Sequence, residues 1–147
     1  MGCPKQTIPL CGEPVLLHTL RALESAALVD GIVLIARPED TTAFGALAQE
    51  NGIGKLLTGV EGGASRQQSV ERGLAALPPE TTLVGIHDGA RPLVSAALVD
   101  TVIAAARETG AAAAAIPVRD TLKRADTAGS ITGTVDWEGM WRVQTPQ

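Results

Sequence analysis

Aromatic side chains are scarce in this chain, which has no tyrosine at all. Phe44, Trp137 and Trp141 make up the entire aromatic fraction of 2%, although 45% of the 147 residues are hydrophobic. A core therefore has to be built from Ala, Val, Leu and Ile. Such side chains suit helices packed on a parallel sheet, whose strands are apolar on both faces. The length predicts one domain with a sizeable core.

An excess of basic residues is also missing. Twelve Lys and Arg residues stand against sixteen Asp and Glu residues, which gives a net charge of −4. This balance excludes an electrostatic footprint for DNA, RNA or an anionic membrane surface. No apolar run reaches the roughly 18 residues of a membrane span, and the first residues lack a signal-peptide pattern. We expect a soluble, cytoplasmic protein that binds neither nucleic acid nor a membrane.

Metal-binding and redox motifs are missing as well. The two cysteines, Cys3 and Cys11, lie eight residues apart without a C-x-x-C motif or a nearby histidine cluster, which favours small packing residues over zinc or redox chemistry. The two histidines, His18 and His87, are interpreted as packed or hydrogen-bonded side chains without a catalytic role.

Helices and strands alternate along most of the chain. Helical periodicity or capping signals predict helices near residues 13–26, 41–52, 65–77 and 95–110, and apolar runs predict strands near 31–36, 55–60, 81–87 and 111–118. In the third helix Ser65 and Gln68 form a capping box, and Val70, Leu74 and Leu77 form the predicted buried stripe. Val84 and Ile86, in the third predicted strand, are expected to face the core. The pattern predicts a three-layer, mostly parallel α/β sheet with right-handed crossovers. Residues 118–141 are polar and rich in Thr and Gly, which predicts a projecting β-arm.

Two glycine-containing turns follow predicted strands, "EGGASR" at 61–66 and "HDGAR" at 87–91. Ligands of open parallel sheets bind beyond the carboxyl ends of the strands, and glycine lets the backbone approach an anion. The chain has neither a G-x-x-x-x-G-K-[ST] nor a G-x-G-x-x-G motif, and no nucleophile elbow. Spacing alone therefore predicts an anion-binding α/β domain and leaves the ligand open.

A resemblance narrows this choice. "PKQ" (4–6), "GGASRQQSV" (62–70), "HDGARP" (87–92), "PVRDTLKR" (117–124) and "VD..GMW...TPQ" (135–147) follow one another in this order. Together they resemble the 2-C-methyl-D-erythritol 4-phosphate cytidylyltransferase family of the non-mevalonate isoprenoid pathway. The resemblance implies a Rossmann-like nucleotidyltransferase sheet. Family members begin with a strand and a glycine-rich loop and continue past "TPQ", so we expect residues 1–147 to be a single but incomplete domain with negligible activity and poor stability on its own.

The resemblance also implies a reaction. The family transfers a cytidylyl group from CTP to methylerythritol phosphate and releases pyrophosphate. The attacking group is the substrate's own phosphate, which is mostly dianionic at neutral pH because its second pKa is about 6. A protein general base is then unnecessary, and the protein has to align two anions and stabilise developing charge. The implied cofactor is Mg²⁺ bound mainly through the CTP phosphates, without metal ligands from the protein.

Site residues are implied in the same way. Lys5 and Asp88 match catalytic positions, and the predicted CTP-binding residues are Lys5, Gly63, Ser69, Asp88 and Gly89. The predicted substrate-binding residues are Asp88, Arg91, Thr121 and Thr145. Simpler interpretations stay open: Lys5 as a solvated lysine, Asp88 and Arg91 as a surface ion pair, and Arg66 as a solvated or structural side chain.

The predicted arm, residues 118–141, corresponds to a segment that clasps a second subunit in the family, which implies a homodimer. Arg119, Asp120, Lys123 and Arg124 either serve that arm or are merely solvated. Trp137 stands where the family usually has an arginine that reaches the substrate phosphate, and an indole cannot replace a guanidinium; Arg124 and Arg142 are the candidates to compensate. Two alternatives therefore remain, a cytidylyltransferase for another polyol phosphate such as ribitol 5-phosphate, and an inactive nucleotide-binding fragment.

Overall fold

A computed structural model describes residues 4–147 of the chain. A 3₁₀ turn at Lys5–Thr7 precedes the first strand. The helices are α1 (Val15–Ser25), α2 (Pro38–Glu50), α3 (Arg66–Ala75) and α4 (Ala96–Thr109). The strands are β1 (Pro9–Leu10), β2 (Glu13–Pro14), β3 (Ile32–Ala36), β4 (Leu56–Glu61), β5 (Ala115–Pro117), β6 (Leu122–Ala125), β7 (Ile131–Val135) and β8 (Trp141–Val143). None of the helices in the described part of the chain is long and apolar enough to cross a membrane.

Local capping signals mark the boundaries of α3 and α4. The Ser65 side chain accepts a hydrogen bond from the Gln68 amide at 3.2 Å, and the Ser95 side chain accepts one from the Leu98 amide, also at 3.2 Å. Helix α4 ends at Gly110, whose φ of 86° is the left-handed conformation of a C-terminal cap. These features confirm the predicted starts of α3 and α4.

The α/β fold class is confirmed by the central layer. Strands β3 and β4 pair in parallel, from Ile32 opposite Leu56 to Ala36 opposite Glu61. Helices α1 and α2 pack against this pair and bury an aliphatic core around one aromatic ring. The buried members of this core are Leu16, Leu17, Leu20, Ile32, Leu34, Phe44, Ala48 and Ile53.

Two predicted strands differ from the structure. Within the described part of the chain, residues 81–87 form no strand, and their one ladder-like contact is the backbone pair of Ile86 with Gln147, at 2.9 and 3.1 Å. The predicted strand at 111–118 is reduced to β5, which pairs antiparallel with β8 rather than parallel to a neighbour. A strand requires a partner, and sequence periodicity does not reveal whether one is present.

A cavity of about 780 Å³ lies between β3 and residues 82–87, and residues of α1, α3 and α4 also line it. It explains two errors of the sequence-based prediction. Leu74 was predicted to lie in a buried stripe and Val84 to face the core, but they are 47% and 40% exposed. Both side chains line this cavity.

Strands β6 and β7 form an antiparallel hairpin within the predicted arm. At its base the Val118 amide donates a hydrogen bond to the Met140 carbonyl at 3.0 Å. At its tip the carboxylate of Asp126 accepts hydrogen bonds from two backbone amides, at 2.9 Å each. The structure thus contains a hairpin inside residues 118–141, while the role of that hairpin in a dimer stays a prediction.

The prediction that the cysteines are packing residues is wrong for Cys11. Cys11 is exposed and has a φ of 53°, next to Gly12 with a φ of 88°. Two successive positive φ values are typical of a tight hairpin turn, here the one that joins β1 to β2. Cys3 lies outside the described residues.

Candidate functional site

The first glycine turn, residues 62–65, connects β4 to α3. The Gly62 amide donates to the Ala36 carbonyl at 2.7 Å, which fixes the turn at the end of β3. The Gly63 amide donates to the Ser69 hydroxyl at 3.0 Å. A Cβ atom at Gly63 would lie only 2.4 Å from Cβ of Gln68, so glycine is required by the close approach of the turn to its own helix.

Ser69 holds this turn from within the helix. Its hydroxyl donates to the Ser65 carbonyl at 2.9 Å while it accepts from the Gly63 amide. The hydroxyl hydrogen is therefore already used, and a ligand can reach Ser69 only as a donor to the remaining lone pair. The predicted contact of Ser69 with a nucleotide stays a prediction, and the structure adds a positioning role.

The second turn, residues 88–91, is held from two sides. The buried hydroxyl of Thr19, on α1, donates to the Gly89 carbonyl at 3.1 Å. A Cβ atom at Gly89 would lie 3.2 Å from Cδ1 of Leu16, so this turn is pressed against the core helix. On the other side the Asp88 amide donates to Oγ1 of the buried Thr145 at 3.3 Å.

An ion-pair network joins the two turns. Arg66 Nη1 contacts Asp88 Oδ1 at 2.7 Å, and Arg91 Nε contacts Asp88 Oδ2 at 3.0 Å. Arg91 also donates from Nη1 to Gln144 Oε1 at 2.7 Å. We name Arg66, Asp88, Arg91 and Gln144 the arginine network. It places both glycine-containing turns on one rim of the sheet, as the sequence predicts.

The charges of the arginine network determine the ionisation of Asp88. Partial burial acts to raise the pKa of Asp88, but the hydrogen bonds and charges of Arg66 and Arg91 outweigh it. The pKa consequently lies below its usual range, and Asp88 is ionised at neutral pH. Two guanidinium groups around one carboxylate leave a local excess of positive charge, which suits the binding of an anion.

Two predicted site residues are not brought into contact with this network. Lys5 is exposed in the 3₁₀ turn, and its side chain makes none of the hydrogen bonds or ion pairs found within residues 4–147. Thr121 is exposed just before β6, on the hairpin side of the molecule. Trp137, in the turn after β7, is 42% exposed. The roles of Lys5 and Thr121 stay predictions.

The histidines fit their structural interpretation. His18 Nε2 lies 2.8 Å from the Leu10 carbonyl oxygen. Both ring nitrogens of His87 are buried without a hydrogen-bond partner in the described part of the chain. Burial lowers the pKa of the His87 imidazole below its usual value, so the ring is neutral at pH 7.

Sequence reasoning missed three contributors to the site. The sequence left the role of Arg66 open between a solvated and a structural side chain. Its position in the first turn of a capped helix, after two glycines, was the signal that could have indicated a place in the site. Thr19 and Gln144 gave no signal, because each acts through a contact with a residue more than 50 positions away.

Within residues 4–147 no group of three or more His, Cys, Asp or Glu side chains could hold a metal ion. Asp88 is the carboxylate that lies between the two turns, and both of its oxygens contact arginines. The predicted cation, bound mainly through the phosphates of a ligand, stays a prediction.

Comparison with known proteins gives a consistent result. The family model described as 2-C-methyl-D-erythritol 4-phosphate cytidylyltransferase matches residues 1–147. A protein of that name from Desulforamulus reducens is 45% identical over 144 residues, which cover 97% of this chain and 62% of that protein. A bifunctional IspD/IspF enzyme from Rhodospirillum rubrum is 48% identical over 147 residues, covering 98% of this chain and 37% of the enzyme.

Solved structures agree with this match. The 4-diphosphocytidyl-2C-methyl-D-erythritol synthase of Anaerococcus prevotii superimposes with a TM-score of 0.81 at 29% identity, covering 99% of this chain and 63% of that one. The 2-C-methyl-D-erythritol 4-phosphate cytidylyltransferase of Thermus thermophilus gives a TM-score of 0.76 at 36% identity, covering 98% and 64%. The chain spans less than two thirds of the length of each of these relatives.

Proposed function

This chain belongs to the 2-C-methyl-D-erythritol 4-phosphate cytidylyltransferase family, and we propose that it acts in cytidylyl transfer from CTP to 2-C-methyl-D-erythritol 4-phosphate. The observation that carries the proposal is the arginine network, which joins two glycine-containing turns on one rim of the sheet through Asp88. Such a rim can hold two phosphate esters side by side. Their mutual repulsion is the main obstacle to this reaction.

The proposed step is a displacement at the α-phosphorus of CTP. An oxygen of the methylerythritol phosphate attacks that phosphorus and forms a new P–O bond, while the bond to the β-phosphate oxygen breaks and pyrophosphate leaves with the electron pair. The attacking phosphate is mostly a dianion at pH 7. No proton has to be removed, which agrees with a His87 that is buried and neutral.

The protein supplies alignment and positive charge. The first turn offers backbone amides beside Gly63, and Ser69 fixes the conformation of that turn. Asp88 and Gly89 are proposed to contact the ribose of CTP and the incoming substrate, and Arg91 and Thr145 to contact the substrate. Lys5 and Thr121 are proposed to approach the ligands when these bind. Positive charge placed where negative charge develops lowers the barrier.

We propose Mg²⁺ as the cofactor, bound through the CTP phosphates, where it would neutralise charge on the triphosphate and orient it for the displacement. Asp88 is the carboxylate placed to approach that ion. We also propose a cytoplasmic location, because both substrates are charged phosphate esters that do not cross membranes unaided.

A homodimer is proposed through the hairpin β6–β7 and the residues that follow it. Large apolar side chains are exposed there, namely Ile131, Trp137, Met140, Trp141 and Val143. An exposed apolar surface of this kind is typical of an interaction site.

The test is pyrophosphate release by the complete gene product. CTP, Mg²⁺ and methylerythritol phosphate are the substrates, and ribitol 5-phosphate is offered in parallel because Trp137 leaves the polyol open. Lys5→Ala and Asp88→Ala are each expected to reduce turnover at least tenfold, about 1.4 kcal/mol of barrier. Arg21→Ala, which removes an exposed ion pair with Glu13, is the control and should leave turnover unchanged.

The outcomes separate the alternatives. Turnover of ribitol 5-phosphate alone would assign the other polyol phosphate as substrate. Absence of pyrophosphate with either acceptor, despite CTP binding, would favour the inactive nucleotide-binding protein. Unchanged turnover in both the Lys5 and Asp88 variants would refute the assignment of the site.

A further inference from the structure

Both oxygens of the Asp88 carboxylate already accept a hydrogen bond from an arginine, so one lone pair is left on each. Oδ1 accepts from Arg66 and Oδ2 accepts from Arg91, at 2.7 and 3.0 Å. A ribose hydroxyl or a ligand-bound cation can use this carboxylate only by displacing an arginine or by sharing its oxygen. The ligand-free arrangement and the proposed role of Asp88 are therefore in competition.

Arg91 is held by more contacts than Arg66 within residues 4–147. It lies three residues from Asp88 in the same turn, and its Nη1 is anchored a second time on Gln144 at 2.7 Å. Losing the contact with Asp88 would leave Arg91 tied to the segment before Thr145. Its guanidinium would remain on the rim.

Among the described residues, Asp88 alone holds the Arg66 side chain. Its contact with Asp88 Oδ1 is the single hydrogen bond or ion pair of this side chain within residues 4–147. The Arg66 side chain is 64% exposed, against 45% for Arg91. A guanidinium has five N–H donors, so most of the donors of Arg66 are not engaged by the described residues.

We propose that Arg66 is a phosphate-binding residue that Asp88 holds in a waiting position, and that binding of the CTP triphosphate exchanges the Arg66–Asp88 pair for an Arg66–phosphate pair. This inference rests on the proposed function and adds a residue to it. The exchange has two effects at once. It adds a guanidinium to the phosphate site, and it frees Asp88 Oδ1 for a ligand.

The chemistry favours this exchange. A triphosphate carries several negative charges where Asp88 carries one, and its oxygens match the planar fork of a guanidinium in a bidentate geometry. Arg66 starts α3 directly after the first glycine turn, so its side chain is attached three residues from Gly63, which is proposed to bind CTP. An exposed ion pair is weak, and breaking it costs little compared with what the phosphate contact adds.

The experiment measures binding of inorganic tripolyphosphate and of cytidine, separately, by titration calorimetry on the complete gene product. Arg66→Ala is expected to weaken tripolyphosphate binding at least tenfold and to leave cytidine binding unchanged. Arg66→Lys should recover only part of the loss, because a lysine keeps the charge and lacks the fork. Arg21→Ala, the variant of a comparably exposed ion pair with Glu13, should bind both probes like the parent.

Asp88→Asn supplies a second and independent measurement. If Asp88 competes with the phosphate for Arg66, its neutralisation should tighten tripolyphosphate binding several-fold in the parent background. Most of that gain should vanish when Arg66→Ala is already present. Such a double-mutant cycle reports the coupling between the two side chains directly. A general electrostatic effect of Asp88 would give the same gain in both backgrounds.

The results that overturn the inference differ from those that overturn the proposed function. Three results would refute the exchange. The parent and Arg66→Ala could bind tripolyphosphate with equal affinity, or Asp88→Asn could have an equal effect in both backgrounds. Arg66→Ala could also weaken the binding of tripolyphosphate and of cytidine equally. Arg66-dependent tripolyphosphate binding without cytidylyl transfer would refute the function alone. A parent protein that binds neither tripolyphosphate nor CTP would refute both. Thermal unfolding of each variant identifies any that fails to fold, and in that case Arg66→Lys carries the comparison.

Discussion

Replacing Gly63 with alanine tests whether the first glycine turn needs its close approach to α3. The new Cβ atom would lie 2.4 Å from Cβ of Gln68 and 3.1 Å from the Gln68 carbonyl carbon. Ordinary contact begins at about 3.4 Å, so the turn and the first turn of the helix have to separate by about 1 Å. Backbone and Cβ atoms give way only if these segments move. The hydrogen bond from the Gly63 amide to Ser69 would then be lost or lengthened.

The energetic consequence can be estimated in two parts. Overpacking of this kind typically costs about 1–3 kcal/mol of stability. A displacement of about 1 Å at a phosphate-positioning turn is large enough to change affinity or rate by up to about 100-fold. We therefore expect Gly63→Ala to weaken CTP binding at least tenfold, measured by titration calorimetry, and to lower the midpoint of thermal unfolding.

Gly85→Ala is the matched control. A Cβ atom at Gly85 would have no other atom of residues 4–147 within 4 Å, and the φ of Gly85 does not lie in the left-handed region. This variant should differ from the parent by less than about 0.5 kcal/mol and should bind CTP with unchanged affinity. If Gly63→Ala behaves like Gly85→Ala in both measurements, the argument from close approach is wrong.

Two further predictions concern the support of the site. Thr19→Val removes the hydroxyl that donates to the Gly89 carbonyl and should lower the free energy of unfolding by about 1 kcal/mol, measured by denaturant titration. The control is Thr101→Val, whose hydroxyl donates within the exposed face of α4, and its effect should be smaller. Equal losses in the two variants would contradict a specific role for Thr19. Ile131→Asp, at a hairpin side chain that is 68% exposed, should convert the proposed dimer to a monomer by light scattering, while Leu93→Asp, outside the hairpin and 90% exposed, should not. A parent protein that is monomeric at micromolar concentration would refute the proposed dimer.

Features with a local cause could be predicted from the sequence. The serine caps at Ser65 and Ser95 and the glycine that ends α4 act within four residues of their partners, so a short window of sequence contains the whole interaction. The same holds for the glycine turn at Gly63, where the steric conflict is with a residue five positions away. The predicted caps of α3 and α4 are confirmed, whereas the contact of Gly63 with CTP stays a prediction.

The connections between the turns could not be predicted in that way. Sequence reasoning named Asp88 and Arg91 as a possible ion pair because they lie three residues apart. The second partner of Asp88, Arg66, is 22 residues away, and the second partner of Arg91, Gln144, is 53 residues away. Polar side chains at such separations meet only after the sheet has formed. The residue types by themselves do not specify the pairing.

The errors in the predicted sheet have one physical origin. Residues 81–87 have the alternation and the β-branched side chains of a strand, but a strand is stabilised by its neighbours. β3 uses one edge to pair with β4, and the cavity lies between β3 and residues 82–87. The same gap leaves Leu74 and Val84 exposed, although their positions in the sequence are those of core residues. Periodicity identifies which side chains share one face of a segment, while whether another segment covers that face depends on pairing across the sheet, which no local pattern encodes.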